Sequence, residues 1–201
     1  MMTAQRVGVF VDVQNMFYAA KKLHQSKVDY GKLLKGVVGD RQLVRAIAYI
    51  VQKADIDQSN FHDALCRFGY ELRVKELKIR EDGEGRNIAK GNWDVGMTVE
   101  IMQLASKLDV VILISGDNDL LPLVECLAQL GVRVELVGFV GSTATQLSRS
   151  CHFFTPIAME WTFKEKKFDQ EARGGNSEPQ DSGPISADDI INGKFTPPDE
   201  A

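Results

Sequence analysis

The chain has 201 residues, 44% apolar and 26% charged, with a formal net charge of −4. These are the proportions of a soluble globular domain long enough for a layered core. No window approaches the ~18 uninterrupted apolar residues of a membrane span, and no charged-then-apolar secretory leader precedes the first strand.

In chain order, Val7-Gly-Val-Phe-Val11 and the acid after it predict a strand over 6–12, followed by a helix near 14–25. Asp29 precedes a short helical stretch as a capping residue would. Residues 42–51 suit a second strand, and Asp57 to Phe68 a helix stopped by Gly69. Residues 70–78 alternate apolar with charged side chains, the pattern of a half-exposed edge strand. Arg80 to Asn87 is polar and glycine-containing, and predicts a loop. Asn92 or Trp93 opens a helix to about Lys107 whose apolar residues cover much of its circumference, so it is expected to be largely buried. Residues 109–114, Asp-Val-Val-Ile-Leu-Ile, form the near-continuous apolar run of a strand buried on both faces. A helix from Asp119 tolerates Pro122 in its first turn and ends near Gly131. Then come a strand at 132–137, a loop from Gly138 to Ser142, a helix near 143–150 and a short strand from Phe153.

Strands alternating with helices imply an α/β fold: a three-layer α/β/α sandwich on a mostly parallel sheet of five or six strands. From about Lys164 the composition turns to Gly, Ser, Pro, Asp and Glu, which divides the chain into a domain at 1–163 and an acidic, disordered tail at 164–201. The tail's apolar residues, Ile185, Ile190 and Ile191, mark a docking segment or a fragment of helix. The tail holds five Lys and Arg against nine Asp and Glu, leaving nineteen of each in the domain. The acidity therefore belongs to the tail, and a polyanionic partner is not excluded. Arg67, Arg73, Lys75, Lys78, Arg80, Arg86 and Lys90 lie close in sequence and either meet backbone phosphates or solvate an edge strand.

The chemistry concentrates where two apolar strands end. Ligands of open α/β sheets gather beyond the carboxyl ends of the strands. Asp12 leaves the first such end with Asn15 three residues on, and Ser115-Gly-Asp-Asn-Asp119 leaves the second. Asp119 is placed to cap the next helix, whereas Asp117 has no evident duty in a turn already served by Gly116 and Asn118. Asp12 has capping as its alternative role, and Asp94 the stabilisation of acids in a first helical turn. Gathered together, Asp12, Asp94, Asp117 and Asp119 would repel, and some would protonate, unless a divalent cation neutralised them. Oxygen-only ligands select Mg or Mn, one or two ions of which activate water and stabilise a departing oxyanion.

Other templates fail. No GxxxxGK[ST] loop is present, and Gly83, Gly85 and Gly91 do not sit between a strand and a helix. Asp117-Asn-Asp119 lacks the rest of a calcium loop. Gln14 occupies the place where a haloacid-dehalogenase-like phosphatase carries its second acid. His24, His62 and His152 have no partner at metal-ligand spacing, and Cys66, Cys126 and Cys151 form neither a CxxC pair nor a disulfide framework, which fits a reducing cytoplasm.

Phe10-Val-Asp-Val-Gln-Asn15, Lys90-Gly-Asn-Trp-Asp-Val95, Ser115 to Asp119 and Gly141-Ser-Thr143, in that order, resemble the NYN domain family in its LabA-like branch, relatives of the PIN nucleases. The resemblance spans about residues 5–157. It implies a PIN-like sandwich, ribonuclease chemistry, and metal-binding roles for Asp12, Asp94, Asp117 and Asp119. It also implies ligand-orienting or substrate-binding roles for Asn15, Lys90 and Ser115, while Ser142 and Thr143, before a helix, are placed to donate to a phosphate. Arg73 and Lys75 are the further expected RNA contacts. The expectation is a cytoplasmic, metal-dependent endoribonuclease; the alternative is a non-catalytic RNA- or nucleotide-binding module. A homodimer, and a protein partner held through the tail, stay open.

Overall fold

The computed structural model describes residues 4–52, 56–81, 87–90 and 92–164, with 78–81 and 87–90 described by their backbone alone. The expectations for the tail, for Gly83, Gly85, Arg86 and Gly91, and for the side chains of Lys78, Arg80 and Lys90 lie outside the described residues. The elements run β1 (Arg6–Asp12), α1 (Val13–His24), β2 (Lys27–Val28), α2 (Tyr30–Val38), β3 (Gln42–Gln52), α3 (Ser59–Phe68), β4 (Glu71–Glu76), β5 (Lys78–Glu81), β6 (Asn87–Lys90) and α4 (Asp94–Leu104). They continue with β7 (Val110–Ile114), α5 (Leu121–Gln129), β8 (Arg133–Gly138), α6 (Thr145–Ser150), β9 (Phe153–Pro156) and β10 (Thr162–Phe163).

Six strands form one sheet in the order β4-β3-β1-β7-β8-β9. Each neighbouring pair is parallel. Burial follows the strand period. Val7, Val9 and Val11 of β1 face a core shared with Met16 of α1, Leu33 of α2 and Leu65 of α3. Phe10 faces the opposite core, with Met97 and Ile101 of α4, Leu123 and Leu127 of α5 and Leu147 of α6. Helices thus cover both faces, and the five residues of β7 are fully buried, which explains its unbroken apolar run. The chain turns from β1 to β3 on one side and reaches β7 on the other, so the topological switch point lies between β1 and β7.

The differences from expectation are local. The stretch at 70–78 is divided into β4 and β5 around Leu77, and the polar segment after it contributes β5 and β6 to an antiparallel pair with Lys78 opposite Lys90. Helix α4 is not largely buried: Val95 is 76% and Val99 50% exposed, because only the face carrying Met97 and Ile101 meets the sheet. A 3-10 turn, Asn118–Leu120, precedes α5 and moves Pro122 into that helix's opening positions. The pairing of β2 with β10 had no sequence signal, since each has two residues. No helix among the described residues is long and apolar enough to cross a membrane.

Candidate metal centre

Asp12 ends β1 at the switch point. As N-cap of α1, its Oδ1 accepts the Asn15 amide hydrogen at 3.0 Å. The Asn15 side chain turns the other way, where its Oδ1 accepts the Gly116 amide at 2.9 Å. Asn15 therefore ties the loop after β1 to the loop after β7 and fixes the spacing of the two strand ends. That second loop is also closed from within: the Asp117 amide donates to the buried Ser115 hydroxyl at 3.2 Å. Asp117 Oδ1 accepts from the Asp119 amide at 3.0 Å, capping the short 3-10 turn. Asp119 itself caps nothing: Asp117 caps the 3-10 turn, and the helix that follows opens at Leu120 without a side-chain cap. Gly116 allows the loop to lie against its neighbour, since a Cβ there would stand 2.7 Å from the Ser142 carbonyl oxygen.

Asp94 arrives from the opposite layer on the first residue of α4. The start of that helix is anchored by Trp93, whose indole N–H donates to the Ile50 carbonyl at 2.9 Å and whose ring lies 5.5 Å from that of Tyr49. Tyr49 is paired with Asp12 in the sheet register. Its hydroxyl donates to Glu100, one face further along α4, at 3.1 Å. The Asn92 amide donates to the Asp94 carboxylate. Sequence reasoning missed Tyr49, Trp93 and Asn92 as the supports of Asp94; only the adjacency of Asn92 and Trp93 to that acid offered a signal.

The outcome is a group of three carboxylates, Asp12, Asp94 and Asp117, each offering an oxygen within 4.8 Å of the others. All three are half-buried. Burial pushes the Asp12 carboxyl up to about 6, with the charges of Asp94 and Asp117 adding and the Asn15 amide opposing. Asp94 is also raised, by burial first and then by Asp117 and Asp119. A pocket that penalises its own negative charge fits a cation, and its oxygen-only donors fit a hard one such as Mg or Mn. Capping does not compete with that use, because a carboxylate has a second oxygen.

The remaining predicted residues divide. Asp119 is exposed and outside the group of three, acting on Asp94 through its charge. Ser115 is fully buried and holds the turn, leaving no surface for a substrate. The Ser142 and Thr143 hydroxyls donate inward to the Phe139 carbonyl at 3.4 and 3.0 Å. Arg73 is engaged by Glu100, with Nε 3.0 Å from Oε2, and approaches Glu71 at 3.6 Å. Lys75 donates to the Asn92 carbonyl at 2.9 Å and lies 4.3 Å above the Trp93 ring, so it stands beside the acidic pocket. Lys90 closes β6, and its side chain is outside the described residues.

The sequence and the fold both have known relatives. The sequence profile of the NYN domain matches residues 6–159. The Low amplitude and bright protein LabA of Synechococcus elongatus is 28% identical over 165 residues, covering 80% of this chain and 88% of that protein. A crystal structure of a protein of unknown function from Vibrio parahaemolyticus aligns with a TM-score of 0.73 at 31% identity, covering 81% of this chain and 100% of that one.

Proposed function

We propose that this chain, which belongs to the NYN domain family, is a divalent-metal-dependent ribonuclease. The observation that carries the reading is the convergence of Asp12, Asp94 and Asp117 at the switch point of a parallel sheet. Those three residues would hold Mg or Mn, with Asp119 reaching the ion through water. When bound, the cation supplies activation of water for attack on a phosphodiester and charge compensation for the departing oxygen. The chain's own groups set the geometry. Asn15 and Ser115 fix the two loops that present Asp12 and Asp117, and Trp93 and Asn92 fix Asp94. Lys75, held over Trp93, offers a positive charge beside the pocket where an RNA phosphate would pass.

The test is cleavage of labelled RNA by the purified chain with Mn²⁺, against a chelator control and the Asp12→Ala variant. Cleavage that needs both the ion and Asp12 supports the proposal; equal cleavage by the variant refutes it. A non-catalytic RNA- or nucleotide-binding module is the second reading. It is favoured by the inward bonding of Ser142, Thr143 and Arg73, which leaves fewer donors for a scissile phosphate. Metal binding and RNA binding without turnover would select it.

A further inference from the structure

Away from the acidic pocket, the sheet face under α2 is incompletely covered. On this face β8 presents Arg133 and Glu135, and Phe153 of β9 lies in register beside Glu135. A groove of about 280 Å³ opens there between α2 and β9. Trp161 forms one wall by packing on α2 at Gly36, where a Cβ would come 2.6 Å from the indole. Phe153, at the rim, is 55% exposed on the outermost strand of the sheet. Two guanidinium groups share one carboxylate at the mouth: Arg41 Nη1 stands 2.9 Å from Glu135, and Arg133 Nε stands 3.0 Å from it. The groove is therefore aromatic at its wall and rim, with one positive charge in excess.

We propose that this groove is the docking site for the chain's own residues 188–191, Asp-Asp-Ile-Ile. Ile190 and Ile191 would lie against Trp161 and Phe153, and Asp188 or Asp189 would take the guanidinium that Glu135 cannot satisfy alone. Three properties select this occupant. Its charge is complementary, in a tail that carries the whole net charge of the chain. Ile190 and Ile191 are the adjacent pair among the tail's few apolar residues. Its tether begins beside the groove: Lys164 follows Trp161 by three residues, and Asp188 follows Lys164 by 24. A tether of that length, if it behaves as a random coil, would have a root-mean-square reach of roughly 27 Å. Such a tether would present the segment at an effective concentration on the order of millimolar, enough to fill a site whose own dissociation constant is no weaker than that.

The test is methyl NMR on the full chain with labelled isoleucines. Docking predicts contacts from the Ile190 and Ile191 methyls to the Trp161 ring, independent of protein concentration. Arg133→Glu should reduce the docked population at least tenfold. Asp188→Lys with Asp189→Lys should do the same, and it leaves every groove residue unchanged should the first variant fail to fold. Free-peptide shifts for Ile190 and Ile191 in the unmodified chain would overturn the proposal. So would docking unaffected by the tail charge reversal, or contacts seen only between differently labelled copies, which would place the tail on a second molecule.

Discussion

Replacing Asp12 by Asn should make the metal-free protein more stable while removing its response to metal. The Asp12 carboxyl has its usual unfolded value near 3.8 and is pushed up to about 6 by burial and by Asp94 and Asp117. Between those values the folded protein holds a proton that the unfolded chain has released. Stability is therefore full below the lower value and declines as pH rises through the upper one. The difference corresponds to about 3 kcal/mol, and the amide's own desolvation brings the expected gain for Asp12→Asn to about 2 kcal/mol at neutral pH. Asn retains an oxygen to cap α1, so the helix start should survive. In a domain of this size that gain raises Tm by about 4–8 °C in the presence of a chelator. It should vanish below about pH 4, where the native carboxyl is protonated in both states. Saturating Mn²⁺ at about a hundred times Kd should stabilise the unmodified protein by about 2.7 kcal/mol and the variant far less. Differential scanning fluorimetry across pH, with and without Mn²⁺, reads both effects. A variant with equal or lower metal-free Tm at neutral pH, or with an undiminished Mn²⁺ shift, would refute the reasoning.

Asp117→Asn should keep the 3-10 cap and change stability by less than about 1 kcal/mol while lowering Mn²⁺-dependent RNA cleavage at least ~100-fold, measurable by single-turnover kinetics. Gly116→Ala should destabilise by about 1–3 kcal/mol in urea melts, because its Cβ would press on the Ser142 backbone at 2.7 Å. Trp93→Phe removes the indole donor to Ile50 and should cost about 1–2 kcal/mol, with weaker Mn²⁺ binding by calorimetry because Asp94 loses its anchor. Unchanged metal affinity in that variant would show that Trp93 is purely structural.

Reading the sequence succeeded where one signal governed burial and failed where partners lay far along the chain. The runs at 7–11 and 110–114 announce parallel strands because burial on both faces leaves no room for alternation. Helix α4 misled for the opposite reason. Its apolar residues are spread around the axis, so composition suggested burial all round, while Val95 and Val99 project away from the sheet. The basic stretch, which in sequence suits either phosphate contact or a solvated edge strand, contains Arg73, whose charge is met by Glu100, a residue 27 positions away on a helix of another layer. No local pattern encodes that pairing.

The acids raise a subtler point about competing explanations. Capping and cation binding are rival readings of Asp12 and Asp119 in the sequence, and Asp117 shows no capping duty there, yet Asp12 and Asp117 are both caps and members of the group of three. The two roles reinforce one another. A cap fixes one carboxylate oxygen against backbone amides at the start of a helix, and that constraint orients the second oxygen at no further entropic expense. Asp119, with the exposed position, lacks such a constraint and falls outside the group. At the carboxyl end of a buried parallel strand, then, a capping aspartate is an argument in favour of a ligand role. The measurement that separates this from coincidence is the Asp117→Ser variant, which retains a capping oxygen but no carboxylate. It should melt within about 1 kcal/mol of the unmodified chain and lose Mn²⁺ binding; preserved Mn²⁺ binding would detach the cap from the metal site.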